Sequence, residues 1–87
     1  MHEASLMNDL MHKIGTVVQE QSGKRAVAVQ VKLGALSHFS IEHFREHFER
    51  AAQGTVAENA NLEIDLSSDI QDPHAQEILL ESVEVEL

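Results

Sequence analysis

Apolar residues recur along this chain with two different periods, and the switches between them mark five elements. In ASLMNDLMHKIGTVVQEQ (4–21), Leu6, Leu10, Ile14, Val17 and Val18 fall on one stripe, which Met7 and Met11 widen. That is helical spacing, and Gly23 closes the segment. Gly15 inside it costs about 1 kcal/mol relative to Ala, so close packing is expected there. RAVAVQVKLGAL (25–36) alternates instead, with Val27, Val29, Val31 and Leu33 on one side and Ala26, Ala28, Gln30 and Lys32 on the other. That predicts a strand with one strongly buried face. Ser40 then reads as an N-cap. Ile41, Phe44, Phe48, Ala51 and Ala52 make the apolar side of a second helix, with Gly54 placed to end it. NLEIDL (61–66) sets Leu62, Ile64 and Leu66 against Glu63 and Asp65. SSDIQDPH is turn chemistry around Asp72-Pro73. EILLESVEVEL (77–87) puts Leu79, Glu81, Val83 and Val85 opposite Ile78, Leu80, Ser82, Glu84 and Glu86, and its apolar side is blurred at the start.

The predicted order is α-β-α-β-β. The β-α-β part favours two parallel strands joined by a right-handed crossover. The last two strands are near enough in sequence to form an antiparallel hairpin with a long loop. The expected fold class is α/β: one small domain over residues 1–87, a three-stranded mixed sheet with two helices on one face.

Composition narrows the function. Eighty-seven residues make a single small core, and with only three aromatic residues, all Phe, that core is thin and aliphatic. The absence of cysteine removes disulfides and thiolate metal sites. No apolar run approaches the roughly 18 residues of a membrane span. The acidic, amphipathic start lacks the basic region of a signal peptide, so a cytoplasmic protein with no membrane partner is expected. The net charge of −9 is uneven, because every Lys and Arg lies at or before Arg50 while acidic residues continue to Glu86. Without clustered cations to displace phosphate counterions, no nucleic-acid partner is expected.

The chemistry lies with six histidines: His2, His12, His38, His43, His47 and His74. HFREH (43–47) fits H-x-x-E-H, the inverted zinc-peptidase motif, in which two His on one helix face share a metal and a Glu acts as base. A peptidase also needs a third ligand and a cleft, and 87 residues leave little room for either. Solvated helix-face histidines are the plainer reading, although an i, i+4 pair can still capture Zn²⁺ or Ni²⁺ adventitiously.

The opening MHEASL offers different chemistry. Met1 supplies an α-amine with a pKa near 8. His2 supplies an imidazole, and a backbone amide lies between the two. Ni²⁺ or Cu²⁺ anchored by amine and imidazole displaces that amide proton, giving fused chelate rings with nitrogens near a plane, the geometry these ions favour. A small second residue is needed for methionine removal, so Met1 is expected to stay ahead of His2. An ordinary polar residue at the chain start remains the alternative on chemistry alone.

MHE at the start, VKLGALS (31–37), GTVAE (54–58) and the closing SVEVEL together resemble the HypA/HybF family of nickel metallochaperones, over nearly the whole chain. The resemblance implies a nickel carrier for maturation of a nickel enzyme such as [NiFe]-hydrogenase, with no catalytic residues. It places Ni(II) on Met1, His2 and Glu3, with Glu3 giving its backbone nitrogen or tuning the site from beside it. It implies a HypB-like nickel GTPase as partner and the hydrogenase large subunit or another nickel enzyme as client. Asn8 and His12 are candidate contact positions on the first helix.

One departure is large. The family inserts a zinc domain with two C-x-x-C pairs between the last two strands. Here the loop of residues 67–77, reading SSDIQDPHAQ over 67–76, stands in its place, and no structural zinc is expected. His74 at its tip is either a solvated turn residue or, if the loop folds over the N-terminus, a further metal ligand. Loss of the zinc domain also leaves a second functional class open: an interaction module that keeps the fold and partner surface without transferring nickel.

Overall fold

The computed structural model describes the backbone of residues 2–87 and the side chains of residues 5–87. The elements are α1 (His2–Glu20), β1 (Arg25–Leu33), α2 (Ile41–Ala52), β2 (Asn61–Leu66) and β3 (Ile78–Glu86). Both helices cover one face of a mixed sheet whose strand order is β2-β1-β3.

Helix α1 buries Met7, Leu10, Ile14 and Val18, spaced three and four apart, in the core. Met7 takes the inward position expected of Leu6, which is exposed. The close packing expected at Gly15 is absent: a methyl group there would meet nothing within 4 Å. The helix ends in a Schellman motif. Ser22, not Gly23, adopts the left-handed conformation at φ 54°. The Gly23 N–H donates to Val18 O at 2.9 Å and the Ser22 N–H to Gln19 O at 3.0 Å. Gly23 is required for a different reason, since any Cβ would collide with Val85 of β3.

Strand β1 is central. Its Val29, Val31 and Leu33 are buried, as the alternation predicts. At the other end the phase reverses: Ala26 is buried and Val27 only half-buried. The cause is an irregularity against β3 between Ala26 and Ala28, where an extra residue turns the pleat over. Strand β3 does the same near Glu81, between the pairs Gln30–Ser82 and Val31–Leu80. Its core-facing set is therefore Ile78, Leu80, Val83 and Val85, rather than the uninterrupted alternation from Leu79.

β1 and β2 run parallel, with Val29 opposite Leu62 and Val31 opposite Ile64. The expected β2–β3 hairpin does not form. β3 pairs antiparallel with the free side of β1. The most continuously apolar strand thus gains a neighbour on both sides, while the shorter β2 stays at an edge and its burial fades from Leu62 at 4% exposure to Leu66 at 50%. Residues 67–77 cross the end of β1 between its two neighbours.

Helix α2 starts where Ser40 places its hydroxyl to accept from the His43 N–H at 3.1 Å. Phe44, Phe48 and Ala52 are buried, while Ile41 is exposed. Gly54 follows the cap at φ 78°, as its position predicts. Arg45 donates to Leu62 O at 3.1 Å and ties the helix to the edge strand. Among the described residues, no helix is long and apolar enough to cross a membrane.

Candidate metal centre

Two of the residues expected to hold metal sit at the start of α1. His2 and Glu3 belong to its first turn. Met1, and the side chains of His2 and Glu3, lie outside the described residues. What surrounds that end is well defined. Leu6, Met7 and Leu10 of α1 line a small cavity with Phe44 of α2 and Ile78 and Leu80 of β3. The first half of α1 is thereby set against the start of α2 and the start of β3.

The start of β3 leads back to His74, four residues before Ile78. Its loop is tightly determined. The Gly34 N–H donates to Glu77 O at 2.9 Å, and the Leu36 N–H donates to Ala75 O at 2.7 Å. A Cβ at Gly34 would collide with the Ala75 carbonyl, so only glycine lets the loop lie this close to the end of β1. Ala75 is buried beneath it. Upstream, short polar side chains shape the turn: Ser67 Oγ accepts from the Asp69 N–H at 3.2 Å, Asp69 from the Gln71 N–H at 2.9 Å, and Asp72 from the His74 N–H at 2.9 Å.

The His74 side chain is exposed, with Nδ1 2.9 Å from Glu77 Oε2. The hydrogen bond to Glu77 and its negative charge, helped by Asp72, raise the imidazole pKa above its ordinary 6.5. This contact fixes the ring orientation and leaves Nε2 for another ligand, as carboxylates do behind metal-bound histidines. It also makes a proton a stronger competitor for that nitrogen. The H-x-x-E spacing of His74 and Glu77 is the signal in the sequence for this contact.

The other histidines are placed as follows. His12 and His38 are exposed, and His38 occupies the left-handed region at φ 67°. His43 and His47 lie side by side on α2, ring centroids 4.4 Å apart, with Phe39 at 5.7 and 6.5 Å from them. The sequence pattern anticipated the pair but not its aromatic neighbour. Among the described residues, no three His, Asp or Glu side chains converge closely enough to hold a metal ion.

Comparison with known proteins adds three findings. A family model described as "Hydrogenase/urease nickel incorporation, metallochaperone, hypA" matches residues 1–71. The hydrogenase maturation factor HypA of Methylocella silvestris is 35% identical over 66 residues, covering 76% of this chain and 58% of that protein. HypA 1 of Bradyrhizobium diazoefficiens is 39% identical over 64 residues, covering 74% and 57%. The chain therefore spans somewhat over half the length of the curated relatives it matches. Among solved structures, the solution structure of the Ni metallochaperone HypA from Helicobacter pylori superposes with a TM-score of 0.78 at 17% identity, covering 97% of each chain. A second HypA solution structure gives 0.74 at 19%, covering 98% of this chain and 96% of the other. At that identity these likenesses establish the fold.

Proposed function

This chain belongs to the HypA family of hydrogenase/urease nickel-incorporation metallochaperones, and we propose that it carries Ni²⁺ on its N-terminal Met1-His2-Glu3 for delivery to a nickel enzyme such as [NiFe]-hydrogenase. The observation that carries the reading is the family match, which starts at residue 1 and takes in all three residues. Their chemistry supports it. An α-amine, one or two backbone nitrogens and an imidazole make a nearly planar nitrogen set suited to Ni²⁺, with a position left for exchange. Transfer needs such an open position more than storage does.

In this reading residues 1–87 form one nickel-binding domain, and the 67–77 loop stands where relatives carry their zinc domain, so no structural zinc is bound. His74 is the candidate fourth ligand, with Glu77 orienting its ring. A HypB-like GTPase is the partner, a hydrogenase large subunit or another nickel enzyme is the client, and the setting is the cytoplasm. Cu²⁺ should bind the same donors more tightly than Ni²⁺, so selectivity comes from metal supply and partners. Binding weakens as pH falls, because amine and imidazole must lose protons to ligate.

A calorimetric Ni²⁺ titration tests the reading on three proteins with verified N-termini: the untagged chain, His2→Ala, and a form extended by one residue ahead of Met1. One tight equivalent is expected in the first and in neither of the others. Equal binding by all three would remove the N-terminal site. Capture of the GTPase that is unaffected by His2→Ala, without tight nickel binding, would leave an interaction module in its place.

A further inference from the structure

A groove lies between the C-terminal half of α2 and the turns that lead into β2. Its volume is about 370 Å³, within the size range of binding sites for small groups. The floor is apolar: Phe48, Ala52 and Ala57 line it and are almost fully buried. The rim is polar and exposed. Glu49 and the cap residue Gln53 stand one turn apart at the end of α2, and Glu58 and Asn59 come from the turns that follow. These walls are preformed. Thr55 Oγ1 donates to Ala52 O at 2.7 Å and accepts from the Ala57 N–H at 3.0 Å. The Ala60 N–H donates to Ala57 O at 3.0 Å, and the Ala26 N–H of β1 donates to Val56 O at 2.8 Å. Asn59 is held in the left-handed region at φ 65°. A groove built this way loses little freedom when it is filled.

The chemistry of the walls selects the occupant. Two carboxylates favour a cation, and among the described residues neither Glu49 nor Glu58 makes an ion pair. The end of α2 adds the negative pole of its helix dipole. Arg50, on the same last turn, lies outside the groove lining. The buried floor favours an aliphatic stem beneath the charge. Arginine meets all of these demands, and its planar guanidinium brings five donors to the two carboxylates and the two side-chain amide oxygens. An open groove gives a free small molecule too little burial to offset its lost freedom, whereas a side chain on an already docked protein has less to lose. We propose that this groove receives an arginine side chain of a partner protein. It lies about two turns along α2 from Phe44, whose ring meets the first half of α1. An arginine seated here therefore does not occupy the N-terminal end of α1.

The probe is the peptide acetyl-Gly-Arg-Gly-amide, titrated into the full chain without added metal and followed by amide NMR. Shifts that saturate in the millimolar range are expected at Ala52, Gln53, Ala57 and Glu58, with none at Gln30 in the middle of β1. Glu49→Gln and Glu58→Gln should each weaken binding by roughly threefold, and the double variant should not saturate. Glu84→Gln, at an exposed position on β3, should change nothing. The replaced residues are all exposed, so each variant should keep the parent Tm and its spectrum outside the groove. The same peptide with citrulline, similar in shape but uncharged, should not bind. Absence of saturable shifts overturns the proposal. So do shifts that persist in the double variant, equal binding of the citrulline peptide, or tighter binding of putrescine, which would make this a site for a free diamine. No metal takes part, so this test and the Ni²⁺ titration above fail independently.

Discussion

The α2 histidines and His74 are positioned by opposite means. His43 and His47 owe their places to residues on the far side of their helix, where Phe44 and Phe48 are buried. The Ser40 cap sets the start of the same helix. His74 sits on a loop with little core of its own, and its position comes from backbone hydrogen bonds to residues 34–36 and one carboxylate, Glu77. Core packing is strong and indifferent to pH. A carboxylate contact is weak at the surface and sensitive to pH. A metal ligand built the first way keeps its place as pH changes, although an imidazole must still lose its proton to ligate. One built the second way competes with a proton that its own partner helps to hold.

Four changes test that contrast. Phe44→Ala removes the packing behind the α2 pair and should cost about 3–5 kcal/mol in a urea titration. Gly34→Ala drives a methyl into the Ala75 carbonyl. It should cost about 1–3 kcal/mol and speed hydrogen exchange at the Leu36 amide, which donates to Ala75 O, while leaving the α2 amides protected. Ser40→Ala unpairs the His43 N–H and should cost about 1 kcal/mol, visible as a lower Tm. The smallest effect is at His74. Its pKa is raised in the folded protein, so the contact with Glu77 stabilises fully below the unfolded value and fades as pH rises through the folded one. NMR titration of the His74 ring should show this upward shift, and Glu77→Gln should remove most of it.

The sequence carried the elements better than their assembly. Periodicity alone located both helices and all three strands, because each buries a single face. It could not show that β3 crosses to the free side of β1: hydrophobic alternation in β3 suits either neighbour, and short sequence separation from β2 pointed to the wrong one. Alternation also failed at Val27 and Leu79, where an extra residue in β1 and in β3 reverses the pleat. Gly23 and Gly34 became intelligible only once Val85 and the Ala75 carbonyl lay against them. The site divides the same way. The i, i+4 pair was legible because helical geometry alone brings His43 to His47. The proposed N-terminal ligands have no periodic signature, since amine and amide nitrogens belong to every chain. Coordination chemistry and the likeness to the HypA family singled them out.

The most direct test of the nickel reading is a histidine-ring NMR spectrum of the untagged protein at one equivalent of Ni²⁺. Ni²⁺ held in a plane of amine, amide and imidazole nitrogens is diamagnetic, so the account predicts that the His2 signals move and stay sharp. No histidine signal should broaden at this stoichiometry. Early broadening of His43 and His47, with His2 unmoved, would contradict it and make α2 the primary nickel site.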